Sequence, residues 1–80
     1  MNKSFKVDKI VDCSGKVCPI PVIETAKAIK QIEVGQIMKT ISTDHGSPPD
    51  MRAWSRNTKH ELLDSDQEDD KFIFYIRRTH

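Results

Sequence analysis

Two prolines, Pro19 and Pro21, stand one residue apart directly after Cys18, and together they constrain where the first helix of this chain can begin. A residue before proline is pushed into extended geometry, the backbone an N-cap needs, and proline is favoured at the first helical position. Cys18 is therefore predicted as the N-cap and Pro19 as the first helical residue, with a first turn made irregular by the restriction Pro21 places on Ile20. Neither proline carries an N–H, so two of the donors a helix start leaves open are removed, and the amides of Ile20 and Val22 remain for the sulfur or for water. At that position the sulfur faces the positive end of the helix dipole, which favours thiolate over thiol. The expectation is an exposed, nucleophilic cysteine with a lowered pKa.

Around this start the hydrophobic periods alternate. Phe5, Val7 and Val11 share the parity of a strand over 5–12, and Asp12 to Val17 reads as a loop in which Gly15 supplies backbone freedom. Beyond Cys18, the residues Val22, Ala26 and Ile29 fall on one helical face, with Ile23 and Ile32 flanking and Glu24, Lys27 and Gln31 opposite. Gly35 is expected to stop that helix. Ile20 falls on the polar side beside the thiol, either as a lone surface isoleucine or as a docking contact for a partner. Residues 36–43 alternate as a second strand. Ser47-Pro48-Pro49-Asp50 resembles a capping box opening a short helix with Met51 and Trp54, ending near Thr58. From His60 the pattern turns to strand with Leu62 and Leu63. The carboxylates Asp64, Asp66, Glu68, Asp69 and Asp70 read as a solvated turn before a last strand from Lys71 to Arg77, with Phe72, Phe74 and Ile76 inward.

Strand, helix, strand, helix, strand, strand is an order that favours a parallel first pair and a closing antiparallel hairpin. The predicted fold is α+β, a two-layer α/β sandwich of βαβαββ order with a mixed four-stranded sheet and two helices on one face. The weak apolar content of the middle strands and a mean hydropathy of -0.58 predict that the other face of the sheet is exposed.

Eighty residues suit one domain, 1–80, which buries only about 60% of the surface its unfolded chain exposes, so no deep substrate cavity is expected. A net charge of +1, from 13 Lys and Arg against 12 Asp and Glu, makes no electrostatic case for nucleic acid or membrane as the main partner. No stretch approaches the about 18 apolar residues of a membrane span, and no signal-like apolar run opens the sequence. The chain reads as soluble and cytoplasmic, without direct membrane insertion. Two cysteines are too few to staple a small secreted fold and suit thiol chemistry in a reducing compartment. The spacing of Cys13 and Cys18 relative to His45 and His60 fits no compact metal template, so neither a metal nor another cofactor is expected.

Asp12-Cys13-Ser14-Gly15-Lys16-Val17-Cys18-Pro19-Ile20-Pro21 matches an Asp-x-x-Gly-x-x-Cys-Pro-x-Pro signature. In this run, and in Gly35, Asp44, Gly46-Ser47, Asp50, Trp54, Thr58, His60-Glu61-Leu62 and Phe74-Tyr75-Ile76-Arg77, the chain resembles the TusA/SirA-like sulfur-carrier family. Lys16, Lys59 and the Pro48-Pro49 pair depart from the family's usual residues, Lys59 standing where a glycine is common. The resemblance implies a cytoplasmic carrier whose cysteine, here Cys18, accepts sulfane sulfur as a persulfide and passes it on. It implies a donor protein, a cysteine desulfurase or a rhodanese-like protein, and an acceptor, a relay subunit or a thiosulfate-uptake partner. The pathways it implies are tRNA thiolation, molybdenum-cofactor synthesis, sulfur oxidation and thiosulfate use. Such a protein is closer to a cosubstrate than to an autonomous enzyme.

The residues assign supporting roles. Asp12 and Gly15 hold the loop, and Pro19 and Pro21 shape the helix start. Cys13, Lys16 and Ile20 are accessory candidates: Cys13 either resolves a persulfide on Cys18 or packs at the strand end, and Lys16 either favours an anionic sulfur species or is solvated. Two rival functions stand beside the carrier. One is a small thiosulfate- or polysulfide-cleaving sulfurtransferase in which Lys16 binds the anion and Cys13 assists. The other is a regulatory or RNA-binding module using Arg52, Arg56, Lys59, Arg77 and Arg78.

Overall fold

The computed structural model describes residues 6–80. Along them run β1 (Lys9–Cys13), α1 (Ile20–Ile29), β2 (Ile37–Ser42), α2 (Ser47–Thr58), β3 (Glu61–Glu68) and β4 (Lys71–Arg77). The strands form one mixed sheet in the order β1-β2-β4-β3. β1 and β2 are parallel, while β4 is antiparallel to both β2 and β3. The expected α+β architecture is observed, with both helices packed over one face. Phe5, expected in the first strand, lies outside the described residues.

Strand periodicity sets the inner face. Val11 pairs with Thr40, Thr40 with Phe74, and Met38 with Ile76, so alternate residues of three strands present one apolar surface. Ala28, Ile29, Ile32 and Met51 close over it, with Val22, Trp54 and Leu62 at the margins. Phe72, Phe74 and Ile76 point inward as their alternation predicts.

Four local expectations are revised. The buried stripe of α1 is Pro21, Thr25, Ala28 and Ile29, whereas Ile23 is 42% exposed. Thr25 turns inward because its hydroxyl is satisfied there, donating to the Pro21 carbonyl at 2.7 Å and lying 3.3 Å from Thr40 Oγ1. The helix ends at Ile29, well before Gly35, whose φ of +93° instead shapes the turn into β2 while its N–H donates to the Arg78 carbonyl. Asp64 to Glu68 form strand, not turn, and only Asp69 and Asp70 lie in the connection. β3 is an edge strand whose ladder comes from β4, and its charges together with the irregularity between Leu62 and Asp64 suit an edge that must not recruit further strands. On the sheet face away from the helices, Ile73 sits between Ile41 and Asp66 and is only 4% exposed, so that face is not uniformly open.

Candidate functional site

The parallel pairing of β1 and β2 brings the loops that follow them out at one end of the sheet, with Cys13 opposite Ser42. The carboxylate of Asp12 accepts the Ser14 N–H at 3.0 Å, and the Lys16 N–H donates to the Cys13 carbonyl at 3.1 Å. Hydrogen bonding from Ser14, helped by the charges of Lys71 and Lys16, holds the Asp12 carboxyl below its ordinary range. Gly15 adopts φ +82°, a left-handed backbone that side chains resist, and its N–H donates to Thr43 Oγ1 at 2.8 Å. The loop before α1 is thus tied to the loop before α2.

Cys18 is exposed at this junction. It stands one residue outside the position expected for it: Pro19 is the N-cap, Ile20 opens the helix, and no side chain caps it. The Cys18–Pro19 peptide is cis. The thiol donates a hydrogen bond to Asp50 Oδ2 in the first turn of α2, and a Cβ on Gly46, the N-cap of α2, would lie 3.7 Å from the Cys18 Cβ. Two helix starts therefore converge on the sulfur, but so do two carboxylates. The hydrogen bond to Asp50, then desolvation, then the charges of Asp50 and Asp44 push the Cys18 thiol up from its ordinary pKa, the reverse of the sequence expectation. The dipole argument omitted the acceptor because Asp50 is distant in sequence.

Asp50 is the residue that sequence reasoning placed in the wrong role. The N-cap is Gly46 and not Ser47, and the amides a capping carboxylate would take are already spent, the Ser47 N–H on the Asp44 carbonyl at 3.1 Å and the Gly46 N–H on the Asp44 side chain, while Ser47 spends its buried hydroxyl on Ser42 Oγ at 2.6 Å. The carboxylate is left to face the thiol. Its place in the family-like pattern was the available signal. Asp44 Oδ2 accepts the Gly46 N–H at 3.1 Å, which fixes the second carboxylate beside the first turn.

Between α1 and α2 runs a groove of about 350 Å³, open at the surface, with Cys18 and Asp50 joined by Pro19, Val22, Ala53, Trp54 and Asn57 along its walls. Apolar side chains continue onto the outer surface at Val17, 65% exposed, Ile20, 37% exposed, and Ile23. Val17 was missed because an apolar residue in a turn has no periodicity to betray it. A second cleft of about 310 Å³, between β1 and α1, is lined by Lys9, Asp12, Glu24 and Lys27 and does not include the thiol.

The remaining candidates lie apart from Cys18 in environment or role. Cys13 is fully buried at the end of β1, and burial raises its thiol pKa. Lys16 is exposed, and its charge acts on Asp12 and Cys13. Pro21 is buried in the first turn of α1 while Pro19 is exposed. His45 meets Phe72 edge-on, and His60 stacks between Trp54 and His80 with Nδ1 accepting the Thr79 N–H. Burial, with the charges of His80 and Arg78, lowers the His60 pKa. Among the described residues no three His, Cys, Asp or Glu side chains are grouped to hold a metal ion, and no helix is long and apolar enough to cross a membrane. Of the basic residues considered for RNA, Arg77 pairs with Glu61 and Arg78 donates to the Ile32 and His80 carbonyls.

Comparison with known proteins gives the family and the fold. YrkI of Bacillus subtilis, named as a candidate sulfur carrier, is 40% identical over 74 residues, which cover 92% of this chain and 99% of that one. The sulfur carrier protein TusA of Allochromatium vinosum is 36% identical over 72 residues, covering 90% of this chain and 95% of its own length. A candidate sulfur carrier of Aquifex aeolicus is 38% identical over 77 residues, and there the match spans only 39% of the longer protein. The crystal structure of a SirA-like protein from Desulfitobacterium hafniense superposes with a TM-score of 0.78 at 22% identity, over 90% of this chain and 99% of that one, and shares the fold. The model of the family described as Sulfurtransferase TusA matches residues 9–78, a span that holds the Cys18 loop, both helices and the whole sheet, and the chain belongs to that sulfur-carrier family.

Proposed function

We propose that this chain carries sulfane sulfur on Cys18 as a persulfide, taking it from one protein and giving it to another. The observation that supports this most is an exposed thiol at the mouth of an open groove with apolar walls, a site suited to docking a protein segment rather than enclosing a small molecule. In the loading step the Cys18 sulfur, as thiolate, attacks the outer sulfur of a donor persulfide R–S–SH. A bond forms between Cys18 Sγ and that sulfur, the R–S–S bond breaks, and R–S⁻ leaves with the electron pair and takes up the proton that Cys18 gave up. The products are Cys18–S–SH and R–SH, with no net oxidation. Delivery repeats the exchange with an acceptor thiolate.

In this reading Asp12 and Gly15 hold the loop, Pro19 and Pro21 set the start of α1, Ile20 and Lys16 belong to the docking surface, and Cys13 packs. Residues 1–80 form one domain working in the cytoplasm. The donor is a cysteine desulfurase or a rhodanese-like protein, and the acceptor is a relay subunit or a thiosulfate-uptake partner, in tRNA thiolation, molybdenum-cofactor synthesis, sulfur oxidation or thiosulfate use. Mass spectrometry after incubation with a cysteine desulfurase and cysteine tests the chemistry. One added sulfur, lost on reduction and absent from Cys18→Ser, is the expected result; an undiminished adduct in Cys18→Ser overturns it.

A further inference from the structure

We propose that Asp50, seconded by Asp44, sorts the two states of Cys18: it holds the empty thiol as a hydrogen-bond donor and turns the charged persulfide away from α2, toward an incoming acceptor. The inference rests on the carrier reading above and names what distinguishes the loaded from the unloaded form.

Cys18 donates to Asp50 Oδ2, and in doing so its sulfur is engaged with the first turn of α2. That bond requires a proton on sulfur. An S–S–H group is more acidic than the parent S–H, so loading exchanges a neutral donor for an anion under conditions where the empty thiol keeps its proton. An anion has nothing to donate to a carboxylate and is repelled by it. The charged groups acting on the sulfur are Asp50 from α2 and Asp44 from the loop after β2; Lys16, on the thiol's own loop, acts on Asp12 and Cys13 instead, and Glu24 of α1 acts on Cys13.

Both carboxylates are in place before loading. Asp44 Oδ2 is held by the Gly46 N–H, and Asp50 is carried on the first turn of a 12-residue helix. The repulsion is therefore built into the scaffold and needs no large rearrangement to act. The terminal sulfur of the persulfide lies one bond beyond Sγ, so a turn about the Cys18 side chain suffices to move it from the carboxylates into the open. An acceptor thiol would then find the loaded sulfur presented and pass its proton to the terminal sulfur as it attacks as thiolate, while the empty thiol, neutral and hydrogen-bonded, takes up a new sulfur only once a docked donor draws it off Asp50 as the thiolate.

The test compares alkylation rates at Cys18 by peptide mass spectrometry at pH 7, on the empty protein and on protein loaded with inorganic polysulfide, for wild type, Asp50→Asn and Asp44→Asn. Asparagine keeps a side-chain oxygen at both positions but removes the charge. The persulfide-to-thiol rate ratio is expected to fall by roughly tenfold in Asp50→Asn, mostly because the empty thiol reacts faster as its pH profile moves down. Asp44→Asn shifts both quantities the same way by less, and carries the test should Asp50→Asn fail to fold. Ratios equal to wild type in the folded variants overturn the sorting. Failure of wild type to gain sulfur from polysulfide, with its thiol pH profile still dependent on Asp50, overturns the carrier reading and the sorting with it, whereas sulfur gain with equal ratios overturns the sorting alone.

Discussion

Cys13 and Cys18 lie on the same short stretch of chain, and both thiols are pushed above their ordinary pKa, but for opposite reasons. Cys13 is raised chiefly by burial at the end of β1, where no surface reaches it. Cys18 is exposed and raised chiefly by one hydrogen bond to Asp50. A burial shift can be removed only by opening the fold, whereas a single-acceptor shift can be removed by anything that neutralises, moves or shields that acceptor. Equal direction in two pKa shifts thus says nothing about equal availability. Availability follows from the cause.

The largest consequence is kinetic. In the native protein, iodoacetamide should modify Cys18 at least on the order of a hundredfold faster than Cys13, because Cys13 reacts only through openings of the fold while Cys18 needs none. Peptide mass spectrometry over a time course measures both sites in one sample. Comparable rates would remove the distinction and make Cys13 a residue able to resolve a persulfide after all.

Stability separates the pair in the other direction. Cys13→Ser places a more polar group where no exposure remains, and should cost about 1–3 kcal/mol in urea unfolding, while Cys18→Ser at an exposed loop position should stay within about 0.5 kcal/mol of wild type. A Cys13→Ser protein as stable as wild type would mean that the strand end tolerates water and that its cysteine is not there to pack.

Much of this contrast is legible in the order of residues alone. The proline frame marks Cys18 as the thiol at a helix start, and the alternation of Phe72, Phe74 and Ile76 marks the strand that carries the core. The rest is decided across the fold. Asp50 meets Cys18 from 32 positions away, so a local dipole argument predicts the wrong sign for the thiol. Thr25 falls between Ile29 and Ile32 on the helical wheel, but that Thr40 of β2 lies 3.3 Å from its hydroxyl is set by the packing of α1 on the sheet. Asp64 and Asp66 have poor strand propensity, and they are strand because β4 supplies a partner ladder on their one paired side.

The alkaline limb of stability carries both thiols with a definite sign. A group whose folded pKa is raised keeps a proton that the unfolded chain releases, so its contribution is complete below the ordinary thiol range of about 8.5 and is lost as pH rises through the folded pKa. Asp12 and His60, whose folded pKa values are lowered, act on the acid side and leave this limb alone. Urea midpoints between pH 7 and pH 10 should decline as the two thiols lose their protons earlier in the unfolded chain than in the folded one. Cys13→Ser should flatten its share of the decline, and Asp50→Asn should flatten a separate share that belongs to Cys18. If Asp50→Asn leaves the slope unchanged, the carboxylate is not what raises the exposed thiol.

A substitution remote from both thiols gives the finest cut. Lys59 ends α2 with φ +70°, a left-handed conformation that a side chain adopts at a cost and glycine adopts freely. Its N–H donates to the Ser55 carbonyl at 2.9 Å, a backbone bond that glycine keeps. Lys59→Gly should therefore stabilise the fold by about 1 kcal/mol, raising the melting temperature by roughly 4–8 °C. Where Cys13 is reached by global opening, the same change must slow its alkylation by about fivefold, since the open population falls in proportion. Cys18, already at the surface, must not respond at all. A parallel slowing of both cysteines would show that Cys18 too reacts only after the structure opens, and would remove the premise that this thiol is ready for a partner in the folded state.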